Sequence, residues 1–395
     1  MSNRHVVIVG AGLAGLRTAQ ALRRNGFEGS VTMIGEEKHP PYDRPPLSKG
    51  VLTGAIEPEA LVYASPADQG IKLQVDVAAT ALDVQKQAVS LSDGGQVGYD
   101  ELVIATGSTA RQPFPGAPVG VFPLRSLDDA LGIRRALTAA QRLVIIGAGF
   151  IGLEIASAAR TLGVEVTVIE ATDQPLGRSL GRGPAEAIAS LAARAGVTIL
   201  CDRQVAGFEG GPHLTGVSLR DGTLLDADLA VVGVGATPNT GWLDGSGLRA
   251  DTSGVLCRPT GRVVARRNLW AVGDVAAWID ADGNPRRREH WTAAVEQANV
   301  VGANLADGGV RTVTAADYVW SEQFGVKVNL VGDTVDHDQV RLLNPTAESL
   351  LALYGRGGRL TGACVVGQMP LVLKCRRWVA AATPLAELEL WQSAA

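Results

Sequence analysis

His5-Val-Val-Ile-Val9-Gly10-Ala-Gly12-Leu-Ala14-Gly15 is the stretch that decides the fold, together with its continuation as far as Glu36. The apolar run reads as a buried parallel strand that glycines end sharply. Leu16, Ala19 and Leu22 then recur at helical spacing until Gly26 stops the pattern, and Val31-Thr-Met-Ile34 makes a second strand closed by an acid, Glu36. Strand, glycine turn, helix, strand and acid form the βαβ dinucleotide fingerprint. Gly10 allows the tight turn, Gly12 lets a pyrophosphate reach the backbone, and Gly15 lets helix and strand pack closely. The helix start offers N–H groups and partial positive charge to the phosphates, and the Glu36 carboxylate can accept ribose hydroxyls.

Further along, the chain repeats itself. Gln141-Arg-Leu-Val-Ile-Ile-Gly147-Ala-Gly149-Phe-Ile-Gly152 is again strand, glycine pattern and helix start, and Val164-Glu-Val-Thr-Val-Ile169-Glu170 is again a strand closed by an acid. Two fingerprints predict two dinucleotide sites. Glu170 also bears on which nicotinamide is used. A carboxylate there accepts both adenosine ribose hydroxyls, whereas a 2′-phosphate meets like charge at a cost on the order of a few kcal/mol, so NADH is expected over NADPH. From about Val310 the pattern changes to alternating strands (Val326 to Val331, Val340 to Leu343, Leu350 to Tyr354, Leu360 to Val366) and a terminal helix near Pro384 to Trp391, a third α+β unit.

Bulk properties narrow the function classes. At 395 residues the chain should hold two or three domains. A formal net charge of -4 gives no global reason to expect nucleic acid, and no apolar run of about 20 residues suggests a membrane span. The first apolar run is itself the strand, which argues against a signal peptide. Cys201, Cys257, Cys364 and Cys375 lie far apart without C-x-x-C or zinc spacing, and the five histidines are scattered. A reducing cytoplasm and no metal are therefore expected.

Tyr42-Asp-Arg-Pro-Pro-Leu-Ser-Lys49, Ala105-Thr-Gly107, Gly233-Val-Gly235 and Trp270-Ala-Val-Gly-Asp274, with the two fingerprints, resemble the glutathione-reductase structural class of flavoproteins. Within it, the Arg-Pro-Pro-Leu-Ser-Lys segment, Glu289-His-Trp-Thr-Ala293 and Trp320-Ser-Glu-Gln323 resemble the ferredoxin reductases of bacterial oxygenase systems. The resemblance implies an α/β fold of two Rossmann-like domains plus a C-terminal α+β domain. FAD would occupy residues 1–110 with 242–312, NADH residues 111–241, and residues 313–395 would form an interface domain. It implies electron transfer from NADH through FAD to an acidic [2Fe–2S] ferredoxin serving a dioxygenase or cytochrome P450. Rubredoxin or monodehydroascorbate reductases and a sensor like apoptosis-inducing factor share the scaffold and stand as alternatives.

The same resemblance assigns residues. Lys49 would lie by flavin N5 and pair with Glu154, whose carboxylate keeps the ammonium charged despite desolvation. Gly10, Gly12, Ala14, Gly15, Glu36, Arg44, Val77, Arg125 and Asp274 would contact FAD, as would the backbone N–H groups of Trp291 and Thr292 at a helix start. Gly147, Gly149, Ile151, Gly152, Glu170, Arg178 and Gly235 would contact NADH. Trp320 is the candidate electron exit. Thiol-dependent relatives pass electrons to cysteines near Tyr42–Lys49, and this chain has none before Cys201. Arg286-Arg-Arg288 and Lys374-Cys-Arg376-Arg377, each either a docking cluster or a solvated hairpin or strand edge, are the basic patches for an acidic partner.

Overall fold

A computed structural model describes residues 4–343 and 348–388, with the Arg178 side chain left outside the description. Both fingerprints fold as strand, turn, helix and strand. The first is His5–Val9, helix α1 (Leu13–Arg24) and Ser30–Ile34; the second is Arg142–Ile146, helix α2 (Phe150–Thr161) and Glu165–Ile169. Each pair of strands is parallel, Val6 opposite Val31 in the first and Leu143 opposite Val166 in the second. The parallel pairing explains the unbroken apolar runs, since helices cover a parallel sheet on both faces and its strands are buried. Val6, Val7, Ile8, Leu102, Val103 and Ile104 are accordingly fully buried.

The chain divides into two compact units. The first comprises Met1–Asp43, Leu61–Thr109 and Ala236–Thr314. Its parallel sheet runs Leu269–Ala271, Glu101–Ile104, His5–Val9, Ser30–Ile34, Ile71–Gln74. Helix α3 (Trp291–Asp307) lies along α1 so closely that a side chain at Gly302 would stand 2.4 Å from the Ala21 methyl. The small-residue, apolar run from Thr292 to Leu305 is thus a helix packed on a helix.

The second unit comprises Arg44–Ala60, Ala110–Gly235 and Ala315–Ala395. Its first sheet runs Val121–Pro123, Leu229–Val232, Arg142–Ile146, Glu165–Ile169, Val197–Leu200, strand for strand the arrangement of the first unit. Its second sheet is antiparallel and five-stranded, ordered Tyr318–Gln323, Val326–Gly332, Arg359–Val366, Leu350–Arg356, Gln339–Leu343. It packs Val331, Leu353 and Val365 against Val372 and Cys375 of helix α4 (Met369–Ala380). Lys374 to Arg377 therefore lie on a helix, not on a hairpin or strand edge: Val372, Cys375 and Val379 recur at helical spacing and face the sheet. Of the expected terminal helix, Leu385–Glu387 is a single 3-10 turn, and everything beyond Leu388 lies outside the described residues. No described helix is long and apolar enough to cross a membrane, and no group of three or more potential metal ligands occurs among the described residues.

Candidate dinucleotide sites and the Lys49–Glu154 pair

Three glycines of each fingerprint are required for two different reasons. Gly10 has φ +117°, and a Cβ there would lie 2.1 Å from the Ala105 carbonyl oxygen; a Cβ on Gly15 would lie 2.0 Å from that of Gly10. The fold itself demands these two. Gly12 is different: its φ is −83°, which any residue adopts, and nothing stands within 4 Å of a Cβ placed on it. The second fingerprint repeats the contrast. Gly147 and Gly152 press on the backbone at 2.4 and 2.1 Å, whereas Gly149, at φ −77°, faces open space. The open middle glycines start α1 and α2 with no side-chain cap. Each thus leaves an open approach to helix N–H groups, and the residues present fit a dinucleotide in both places.

This gives a contrast between variants. Gly12→Val should fold with wild-type thermal stability but weaken dinucleotide binding by about 100-fold or more, with FAD, the nucleotide expected here, read by flavin fluorescence on dilution; Gly15→Val should not fold. A Gly12→Val protein that keeps its flavin would refute the cradle.

Several expected residues gather around the first cradle. Glu36 is exposed beyond the Ser30–Ile34 strand, and its carboxylate is unengaged among the described residues. Val77 donates its N–H to the Gly35 carbonyl oxygen (3.0 Å), which sets it beside that strand tip. Ala14 sits in the first turn of α1, against Gly273: a Cβ on Gly273, where φ is +73°, would come within 2.9 Å of the Ala14 methyl. Asp274 is next in the chain, accepting from the Ser108 hydroxyl at 3.1 Å. Trp291 and Thr292 open α3, whose N-cap is His290: its Nδ1 accepts the Ala293 N–H at 3.1 Å and the Thr292 hydroxyl at 3.0 Å.

Sequence reasoning missed the supports of this site. Gln297, 1% exposed, accepts the Gly273 N–H at 2.8 Å and fixes the turn that carries Asp274. Asp43 accepts from the Trp291 indole at 3.0 Å and from the Tyr63 hydroxyl at 2.6 Å. Burial, and then the Asp43 carboxylate, push the Tyr63 phenol up, so it remains a donor. These bonds span up to 248 residues of chain, and no local pattern announces them.

In the second unit, Glu170 is engaged where Glu36 is not. Its Oε2 accepts the Ala148 N–H at 2.9 Å, inside the glycine turn, and its Oε1 accepts the Thr172 N–H and hydroxyl at 2.9 and 2.8 Å. The acid thus ties the end of its own strand to the phosphate loop. Ile151 is 49% exposed in the first turn of α2, an apolar face left open beside Gly149. Gly235, at φ +102°, accepts the Arg111 N–H on its carbonyl oxygen (2.9 Å). Arg44 donates to the carbonyl oxygen of Arg125 at 2.8 Å, bringing those two expected residues together. Arg178 belongs to a short helical turn, its side chain outside the described residues.

Lys49 and Glu154 form the expected pair, with Nζ 2.7 Å from Oε2. The proline-rich segment folds as a 3-10 turn, Pro45–Ser48, which delivers Lys49 to the second turn of α2. Glu154 is 5% exposed, and a buried carboxylate is tolerated only when paired and hydrogen-bonded. It is both: the Ser48 hydroxyl also donates to Oε2, and the Ser321 hydroxyl donates to Oε1 at 2.6 Å. A cavity of about 460 Å³ borders the pair and leaves the Lys49 side chain 20% exposed.

Trp320 stacks on Tyr318 with ring centroids 5.9 Å apart, and cations flank both rings: Lys327 over Trp320 at 5.8 Å and Arg376 of α4 over Tyr318 at 5.2 Å. In the other basic cluster Arg286 pairs with Asp280 at 2.8 Å and Arg287 with Glu289 at 2.7 Å.

Comparison with known proteins agrees with this geometry. Residues 4–298 match the pyridine nucleotide-disulphide oxidoreductase family model, and residues 318–395 match the reductase C-terminal model. The ferredoxin–NAD(+) reductase subunit of a benzene 1,2-dioxygenase system from Pseudomonas putida is 40% identical over 333 residues, 83% of this chain and 80% of that protein. Putidaredoxin reductase of the same organism is 34% identical over 388 residues, 93% of this chain and 89% of its own. The solved covalent complex of putidaredoxin reductase with putidaredoxin contains a chain that matches with a TM-score of 0.92 at 33% identity, covering 97% of this chain and 94% of that one. The chain belongs to the pyridine nucleotide-disulphide oxidoreductase family.

Proposed function

We propose that this protein is an FAD-dependent NADH:ferredoxin reductase that passes electrons singly to a [2Fe–2S] ferredoxin serving a dioxygenase or cytochrome P450. Bound FAD supplies the chemistry, a flavin being able to take an electron pair and release it in two steps. The chain's own work is positioning and charge. The open cradle at Gly12, with Glu36, holds FAD; the cradle at Gly149, with Glu170, holds NADH. Residues 1–110 with 242–312, 111–241 and 313–395 divide as the two nucleotide domains and the interface domain. Lys49, paired with Glu154, supplies the positive charge that favours electron-rich flavin, and the N–H groups at the start of α3 favour the same state.

The single observation that carries this reading is that two dinucleotide cradles accompany a thiol-free lysine segment. Family members named for disulphides need a reactive cysteine, and the cysteines here are the reverse. All four are free thiols. Burial pushes Cys257 up, Cys364 up to about 12 and Cys375 up to about 11, so none is a thiolate at neutral pH. Burial first, and then the carboxylates of Glu170, Asp202 and Asp173, raise Cys201. Maleimide near neutral pH should therefore label native protein at Cys201 alone and slowly, with three further sites appearing on denaturation. Fast labelling of a second thiol would contradict a direct exit of electrons from the flavin.

For the acidic ferredoxin, the reading favours the cations of α4 beside the Tyr318–Trp320 stack, because that stack holds the candidate electron exit. The relatives named as ferredoxin reductases support the partner class. The test is NADH-driven cytochrome c reduction with and without a [2Fe–2S] ferredoxin, at low and high salt. Strong ferredoxin dependence that weakens with salt is expected; a rate indifferent to ferredoxin would refute the reading.

A further inference from the structure

Helix α2 and the Tyr318–Gln323 strand are joined by two hydrogen bonds with matched spacing. Ser321 donates to Glu154, and three residues further along the chain in each case the Phe324 N–H, just past the strand, donates to the Ser157 hydroxyl at 2.8 Å. The second bond docks the strand end on the helix. The first ends on the carboxylate that holds Lys49. On that strand Tyr318 and Trp320 share one face, while Ser321 and Gln323, 1% and 2% exposed, share the other.

We propose that Ser321 is a positioning residue for the Lys49–Glu154 pair, and that through it the C-terminal sheet sets the direction of the Lys49 ammonium. The inference rests on the role proposed for Lys49. A glutamate carboxylate turns almost freely about its last torsion, whose energy profile is broad. Donors on one oxygen alone leave that torsion loose. Here Lys49 and Ser48 hold Oε2 and Ser321 holds Oε1, so the plane is fixed from both sides. Lys49 also donates to the Pro45 carbonyl at 2.9 Å, four residues back on its own segment, a bond that does not orient it against α2. Without the Ser321 hydroxyl, Oε1 loses its protein donor, and the carboxylate turns toward its two remaining donors on Oε2. Lys49 turns with it.

The experiment compares Ser321→Ala, Ser321→Thr, Ser321→Cys and Ser157→Ala holoproteins by two measurements. These are the flavin midpoint potential from dithionite titration and the rate of anaerobic flavin reduction by NADH. Ser321→Ala should make the potential more negative and slow reduction about 5–10-fold, the scale of one ordinary hydrogen bond, with FAD retained. Ser321→Thr keeps the hydroxyl and should restore both values; Ser321→Cys, the closest isostere, reports in its place if the alanine variant does not fold. Ser157→Ala loses the docking bond only and should match wild type in both. Equal loss in Ser157→Ala would show that Ser321 merely docks the sheet, and wild-type behaviour of Ser321→Ala with its cysteine counterpart would overturn the proposal outright. The dithionite potential needs neither NADH nor ferredoxin, so it stays readable if the proposed partner is wrong. An unshifted potential in Lys49→Met would remove the Lys49 reading and this inference together, whereas a shift in Lys49→Met without one in Ser321→Ala would remove only this inference.

Discussion

Lys49→Met should reduce the rate of anaerobic flavin reduction by NADH about 100-fold, the usual cost of removing one preorganised electrostatic group from a reacting centre. Methionine keeps most of the length and the apolar stem and removes the charge together with its hydrogen bonds to Glu154 and the Pro45 carbonyl. The change also leaves the buried Glu154 side chain with two serine hydroxyls as its donors. Some loss of thermal stability is expected as well, because removing one partner of a buried pair strands the other. The loss should be modest, since Lys49 is one-fifth exposed and water replaces part of what it gave. Glu154→Gln is the milder change. A neutral amide still accepts from one serine, and the ammonium retains the Pro45 carbonyl, so a decrease of about 10-fold is expected. Stopped-flow traces under nitrogen check both. Wild-type rates in Lys49→Met would show that the pair serves the fold and not the electron transfer.

Glu170→Ala should lower kcat/KM for NADH and shift the NADH/NADPH ratio toward NADPH by about two decades. Removing the carboxylate takes away the ribose acceptor and the like charge that opposes a 2′-phosphate, a term of a few kcal/mol. The structure adds a second consequence. Glu170 also receives the Ala148 N–H, so its loss frees the phosphate loop as well as the ribose site. Glu170→Gln separates the two in part: the amide oxygen can keep the Ala148 loop bond while the charge is gone, at the cost of the Thr172 N–H bond. The glutamine variant should retain most NADH activity and still gain on NADPH. An unchanged ratio in both variants would place nucleotide selection elsewhere.

The two βαβ units could be read from sequence because their signals are local: an apolar run, glycines at fixed spacing and an acid at the next strand end. Lys49 and Glu154 needed the family resemblance to be joined, since nothing in a proline-rich loop and a helix 105 residues apart states that they meet. Helix α4 was obscured by its own composition. Pro370 near the start, valines at 372 and 379 and a dense basic run hide the helical recurrence of its buried positions. The supports were not legible at all. Ser321, Gln297 and Asp43 are ordinary polar residues in sequence, and only folding brings each to its partner.

The most direct test of the central claim is anaerobic titration of the yellow holoprotein, first with NADH and then with oxidised [2Fe–2S] ferredoxin. A hydride carries an electron pair and a ferredoxin accepts one electron, so one NADH should bleach each flavin and about two ferredoxins should restore its colour. No thiol should become modified in the cycle. Flavin that NADH does not bleach, or colour that returns only with a disulphide and not with ferredoxin, would contradict the account.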